Sequence, residues 1–224
     1  MRGQRTGTPM AHNLNLTPKV NLALDEIETR LENAPRIIVA LTGAPASGKS
    51  TLSTELLRRL QLKKISAAVV PMDGFHLDND ILDEMGMRAR KGAPETFDAD
   101  GFIHMIRRIK AGEPVYYPEF DRPRDISIAG KGYVSPNTQV IIVEGNYLMF
   151  DEAPWRDLAD LWDFTIRWDV PLPELRARLI QRWLSLNHSS ANALRRAEGN
   201  DIPNAKRIID RALPCDLILK GVED

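Results

Sequence analysis

The chain has a single cysteine, Cys215, among 224 residues. An intramolecular disulfide is excluded, and with it a fold stapled for an oxidising compartment. No apolar run approaches the roughly 20 residues that a membrane-spanning helix needs. Arg2 and Arg5 stand near the amino terminus without an adjoining apolar stretch, so a secretory leader is not expected. Neither sign of charge is in excess: 30 Lys and Arg face 31 Asp and Glu, for a formal net charge of −1. Bulk attraction to nucleic acid or anionic lipid is therefore not the basis of function. Internal repeats and low-complexity segments are absent as well. What remains is a globular composition, 43% hydrophobic and 27% charged, expected in a reducing cytoplasm. Cys215 lies in the apolar run Cys215–Leu219 and is expected to be a small buried core residue rather than a reactive thiol.

Residues 1–16 are polar and aperiodic and are expected to be poorly ordered, with Met10 a second candidate start. Residues 17–224 then read as one domain. Thr17-Pro18 resembles an N-cap followed by proline at the first helical position. Val20, Leu24, Ile27 and Leu31 repeat at helical spacing, which predicts an amphipathic helix over 18–32 packed on the domain. Five apolar runs read as buried strands: Arg36–Thr42, Ile65–Pro71, Val140–Glu144, Phe164–Val170 and Cys215–Leu219. Helical patterns, such as Lys49–Leu62, fill most gaps. Strands apolar on both faces imply a parallel sheet covered by helices, so the fold class is α/β, doubly wound, with a mainly parallel five-stranded sheet. Tyr116–Ser135 is the exception. Rich in Pro, Gly and Asp, it reads as loops with short strands, a hairpin near the sheet edge.

The first strand runs directly into Gly43-Ala44-Pro45-Ala46-Ser47-Gly48-Lys49-Ser50, followed by Thr51. This satisfies G-x-x-x-x-G-K-[ST] in full, a match that average composition produces by chance in about 1% of chains this long. Its position between a buried strand and a helix is what phosphate binding requires. Glycines let the backbone wrap an anion, and successive N–H groups and the helix N-terminus point at it. The sequence therefore predicts ATP bound along Gly43–Thr51, Lys49 on the β- and γ-phosphates, and the Ser50 hydroxyl on Mg²⁺.

Two carboxylates sharpen the reading. Asp73 follows the second strand and Glu144 ends the third. The carboxyl ends of parallel strands line the ligand crevice, so both fall near Ser50. One suits Mg²⁺, and the other suits taking a proton from an attacking hydroxyl. A guanine-reading N-K-x-D does not occur, which argues against a GTPase. A motor or transport ATPase would need more chain for its coupled parts.

With these residues in place the chain resembles the superfamily of uridine kinase, phosphoribulokinase and bacterial pantothenate kinase. Small bacterial fructose-transport-system-kinase-like and uridine-kinase-like proteins are nearest in pattern. GAPASGKST, PMDGFH, RKGAPETFD, YYPEFDRPRDISIAG, VIIVEGNYL, LIQRW and NDIPNA carry the likeness over about residues 36–206. The resemblance implies that Asp73 is the general base and that Glu144 assists metal or substrate. It implies a mobile helical lid over about 183–201, with arginines closing over the phosphates. Arg178 and Arg182 are one helical turn apart, and Arg182 stands at the position of a lid arginine in pantothenate kinase. The same arginines, with Arg176, Arg195 and Arg196, also fit a solvated basic helical face. Asp98, in a segment resembling the family's K-G-x-P-E-S-[YF]-D, is either a helix N-cap or an acceptor-side group. Substrate choice is expected to involve Tyr117, Asp121 and Arg122, with His76 either touching substrate or bonding locally.

The implied activity is transfer of the ATP γ-phosphate to a hydroxyl of a small metabolite: a sugar, a nucleoside or a pantothenate-like molecule. A nucleotide-binding regulator without transfer activity is the alternative, and a slow NTPase of another class the third. Neither nucleic acid nor membrane is an expected partner. The acceptor and the oligomeric state, monomer or homodimer, are open at this level.

Overall fold

The computed structural model describes residues 16–221; the expectations for the tail, over residues 1–15, and for a start at Met10 lie outside the described residues. Helix α1 (Thr17–Leu31) precedes strand β1 (Ile37–Thr42), helix α2 (Lys49–Leu62) and strand β2 (Ala67–Pro71). Helices α3 (Asn79–Glu84) and α4 (Ala99–Lys110) follow, then β3 (Val115–Asp121), β4 (Ile126–Val134) and β5 (Val140–Gly145). Strand β6 (Phe164–Asp169), helices α5 (Leu172–Ser185), α6 (Ser190–Arg196) and α7 (Ile202–Asp210), and strand β7 (Leu217–Lys220) complete the order. No helix among the described residues is long and apolar enough to cross a membrane.

Strands β2, β5, β1, β6 and β7 lie side by side in that order, and every neighbouring pair is parallel. All six residues of β1 are buried, which is why its sequence is uninterrupted Ile, Val, Ala and Leu before Thr42. Successive side chains of a strand face opposite ways. Ile38 and Ala40 join one core with α4, Trp155 and Trp162. Ile37, Val39 and Leu41 join the other with α1, α2 and α5. The expected N-terminal helix docks through Val20, Ala23, Leu24 and Ile27, beside Leu52, Leu56 and Leu60 of α2.

Three details differ from the sequence reading. Leu16, not Thr17, holds the N-cap position of α1; Thr17 is already helical and no side chain caps the end. Cys215 precedes β7 rather than lying within it. There it is half-buried, packed against the core, with its Sγ 3.7 Å from an Arg167 guanidinium nitrogen. The hairpin β3–β4 forms a two-stranded antiparallel sheet of its own. It packs over the 3₁₀ turn Met72–Phe75 instead of extending the main sheet.

Candidate active site

The phosphate loop is held from beneath. The Trp168 indole N–H of β6 donates to the Ser47 carbonyl at 2.8 Å, and Arg178 Nη1 of α5 donates to the same oxygen at 2.9 Å. Ala46 (φ 60°) and Gly48 (φ 103°) are left-handed, the turn geometry that makes a concave run of N–H groups. Gly43 has no room for a side chain, because a Cβ there would lie 2.6 Å from the Trp168 carbonyl oxygen. Lys49 opens α2 and is only 8% exposed. Its Nζ donates to Asn146 Oδ1 at 2.8 Å and to the Ala44 carbonyl at 3.1 Å. Burial pulls the Lys49 pKa down, while Glu144 and Asp73 oppose that shift. The Ser50 hydroxyl lies 3.0 and 2.9 Å from the two Glu144 oxygens.

Strand register brings these groups together. Leu41 of β1, Glu144 of β5 and Pro71 of β2 lie level across three adjacent strands. The chain leaves β2 into the Met72–Phe75 turn, and Asp73 sits there in an ion pair with Arg122 from the hairpin. Gly74 explains why the hairpin can come so close. A Cβ at Gly74 would lie 2.0 Å from the Pro118 carbonyl oxygen and 2.5 Å from its carbon, both backbone. Gly74→Ala is expected to lift the hairpin, destabilising the fold by about 1–3 kcal/mol. A melting temperature lowered by several degrees in a scanning experiment would bear this out; an unchanged one would mean that the hairpin does not rest on Gly74.

His76 ends the same turn. Its ring packs between Phe97 and Phe120, with centroids 4.1 and 4.7 Å away. Its Nδ1 lies 2.8 Å from the Asp73 carbonyl. A carbonyl only accepts, so Nδ1 carries the hydrogen and Nε2 of the neutral ring is an acceptor. Burial pushes the His76 pKa below its ordinary value, against the pull of Asp73. In the unfolded chain the imidazole gains a proton as pH falls through about 6.5, whereas the folded ring resists until lower pH. The unfolded state then binds more protons, so stability falls over that window by at most about 1.4 kcal/mol per pH unit from this group. Melting curves between pH 7.5 and 5.5 should be steeper in pH for the wild type than for His76→Gln. Equal slopes would remove His76 as the source.

The other expected site residues divide. Pro45 and Ala46 lie in the loop, and Thr51 is an exposed residue of the first turn of α2. Arg182 is exposed on α5, within electrostatic reach of Arg122, Asp201 and Asp73. Arg178 is tied to Glu174 at 2.7 Å as well as to the loop. Two of the expected hairpin residues have partners within the fold. Tyr117 is 5% exposed, and its hydroxyl donates to the Val69 carbonyl at 2.9 Å, facing β2. The exposed ring of that strand is Tyr116, stacked on Tyr133. Asp121 accepts from Arg124 Nε, Nη2 and backbone N–H, so its carboxylate is committed to its own turn. Asp98 is the N-cap of α4, accepting from the Gly101 N–H at 2.9 Å. The expected lid consists of the end of α5, then α6, then a π-helical turn over Ala197–Asp201.

Three neighbours were not singled out from sequence. Asn146 takes a Lys49 hydrogen bond; its signal was adjacency to Glu144-Gly145. Lys91 Nζ reaches Asn79 Oδ1 at 2.7 Å and Asp125 Oδ1 at 3.1 Å, tying α3 to the hairpin tip. Asn200 in the π-helical turn donates to the Lys91 carbonyl at 2.9 Å, so the lid end touches the same segment.

The donor set fits Mg²⁺. A hydroxyl and a carboxylate are hard oxygen ligands, and their mutual hydrogen bond places both beside the loop. Among the described residues, no group of three or more His, Cys, Asp or Glu gathers as a metal cage. Mg²⁺ commonly takes one or two protein oxygens and completes its shell with phosphate and water.

Comparison with known proteins shows the family and the fold. A profile of the Phosphoribulokinase / Uridine kinase family matches residues 38–185. The "putative fructose transport system kinase from Silicibacter sp. TM1040" superposes with a TM-score of 0.84 at 48% identity, over 92% of this chain and 100% of that one. The uncharacterized protein YggC of Escherichia coli (strain K12) is 34% identical over 194 residues, 84% of this chain and 79% of its own length. The "Putative uridine kinase C227.14" of Schizosaccharomyces pombe is 32% identical over 210 residues, 88% of this chain and 89% of its own. On the family profile, these relatives and the parallel sheet with its phosphate loop, the chain belongs to the Phosphoribulokinase / Uridine kinase family, a family of kinases.

Proposed function

We propose that the chain transfers the γ-phosphate of ATP to a hydroxyl group of a small metabolite. The observation that carries this reading is the convergence of Lys49, the Ser50–Glu144 pair and Asp73 at three level strand ends. Each group has a distinct task there. The loop N–H groups and the Lys49 ammonium bind the triphosphate and neutralise charge on its β- and γ-oxygens. Ser50 and Glu144 would hold Mg²⁺, which offsets charge on the same oxygens when bound. The Asp73 carboxylate accepts the proton of the acceptor hydroxyl. As that proton leaves, the hydroxyl oxygen bonds to the γ-phosphorus and the bond from the γ-phosphorus to the β–γ bridging oxygen breaks. The electron pair departs with ADP, and the product is a phosphate monoester.

Arg182 is placed to meet the charge that spreads over the transferring group, and Arg178 holds the loop floor through Ser47. Lys49 draws its partners from the loop and from Asn146, so the phosphate site is pre-formed rather than assembled on demand. The test is ADP release from MgATP with and without a panel of sugars, nucleosides, hydroxy acids and sugar phosphates. Release that depends on an acceptor supports transfer. Tight MgATP binding with no acceptor-dependent release from any broad panel would point to a nucleotide-binding regulator.

A further inference from the structure

The cations at the acceptor side of the site differ in how they are neutralised. Lys91 pairs with Asp125, Arg124 with Asp121, and Arg88 with Asp83. Among the described residues, the one carboxylate paired with Arg122 is Asp73, the same group that the proposed reaction uses as its base. The Arg122 side chain is exposed, and Asp73 is its hydrogen-bond partner. The hairpin tip beside it is tied down by Asn79 Nδ2 to Asp125 Oδ2 at 2.8 Å and by Lys91 to Asp125. Across the tip, the Ser127 hydroxyl donates to the His76 carbonyl at 3.2 Å. The guanidinium also lies within electrostatic reach of Lys49 and Arg182. Its place is therefore at the junction of the phosphate loop, the expected lid and the acceptor side.

This placement has two chemical consequences. A guanidinium bonded to Asp73 Oδ2 competes with an acceptor hydroxyl for the carboxylate. Once Asp73 has taken a proton it is neutral, and Arg122 is left without a counter-charge in a cluster of cations. An anionic group on the acceptor, close to the reacting hydroxyl, resolves both: it draws Arg122 onto itself, frees the carboxylate and supplies the missing charge. Arginine is suited to this because its planar fork binds carboxylates and phosphates alike. A neutral polyol supplies nothing that would separate the pair.

We propose that Arg122 latches Asp73 and is released by the acceptor itself, so that the acceptor is a hydroxylated metabolite carrying a carboxylate or phosphate. This rests on the phosphotransferase reading above and names its substrate class. The latch also limits loss of ATP to water, since water brings no anion to open it.

The experiment has two arms. In the first, ADP release from saturating MgATP is measured without acceptor for the wild type, Arg122→Gln and Asp73→Asn/Arg122→Gln. Arg122→Gln should raise it by roughly two- to fivefold, the factor that an exposed ion pair is worth, because the carboxylate is then open to water. The double variant should return to wild-type level or below. In the second, matched pairs are compared as acceptors: glycerate with glycerol, and ribose 5-phosphate with ribose. The wild type should favour the anionic member of whichever pair it accepts, by about tenfold or more, and Arg122→Gln should lose that preference. The two pairs separate carboxylate from phosphate. If neither pair is accepted, the first arm decides alone. Hydrolysis unchanged or lowered in a folded Arg122→Gln would overturn the latch and make Arg122 a nucleotide-side residue. Neutral members used as well as anionic ones would overturn the substrate class. Failure of the underlying reading looks different: in the wild type no acceptor, charged or neutral, would raise ADP release above the acceptor-free rate, or the Mg²⁺ complex of the non-hydrolysable analogue AMP-PNP would not bind by calorimetry.

Discussion

Lys49→Ala is expected to lower phosphoryl transfer on the order of 10²–10³-fold while leaving the fold in place. The ammonium is buried at the start of α2, and its two hydrogen bonds run to Asn146 Oδ1 and the Ala44 carbonyl. Neither is a carboxylate, and among the described residues no ion pair uses up the charge. A buried ammonium without a tight counter-ion is costly for the fold, and its burial already pulls its pKa down. A ligand with several phosphate charges repays that cost. Removing the group should therefore leave the melting temperature close to wild type, or raise it slightly, while MgATP affinity and turnover collapse together. Circular dichroism checks the first and a coupled ADP assay the second. Normal turnover from a folded Lys49→Ala protein would mean that nucleotide is bound elsewhere.

The second large effect is at Asp73. Asp73→Asn preserves shape and removes the proton acceptor, so turnover should fall by roughly 10²–10⁴-fold. Binding of MgATP should be nearly unchanged, because the phosphate contacts come from the loop, Lys49, Ser50 and Glu144. The split between affinity and rate identifies the role. A collapse of MgATP affinity with an unchanged rate per bound complex would make Asp73 a nucleotide or metal residue. Because Asp73 pairs with Arg122, the substitution also frees a guanidinium.

Most of the fold was legible because its main sheet is buried on both faces. Continuous runs such as Ile37–Leu41 and Val140–Val143 have no other reading beside helices of the period seen in Lys49–Leu62. The phosphate loop, Asp73 and Glu144 were legible for a related reason. In a parallel sheet, the residues just past the strands' carboxyl ends must meet, whatever the intervening sequence. The hairpin was harder. A register shift between Tyr117 and Glu119 changes which side chains face inward, and period-two reasoning does not survive it. Ahead of that shift Val115, Tyr116 and Tyr117 still alternate buried, exposed, buried, and the docking of Tyr117 on the Val69 carbonyl, not the pattern, sets which phase faces the core. Pairing of Arg122 with Asp73 across 49 residues, and of Lys91 with Asn79 and Asp125, depends on where turns dock. Turn docking leaves no periodic trace in sequence. Gly74 is the instructive case. Its signal was present in Met-Asp-Gly-Phe, yet only the approach of the Pro118 backbone explains why that position excludes a side chain.

In the proposed reaction the γ-phosphate moves directly to a metabolite hydroxyl while Asp73 takes the hydroxyl's proton. Its most direct measurement needs no prior choice of acceptor. The protein is incubated with Mg²⁺ and γ-³²P-labelled ATP in a protein-free extract of small metabolites, and labelled products are separated from ATP and inorganic phosphate. A new labelled phosphate monoester is expected that is stable to isolation, is formed by the wild type, and is missing or strongly reduced with Asp73→Asn. Label recovered only as inorganic phosphate at every extract concentration, or the same ester formed equally well by Asp73→Asn, would contradict it.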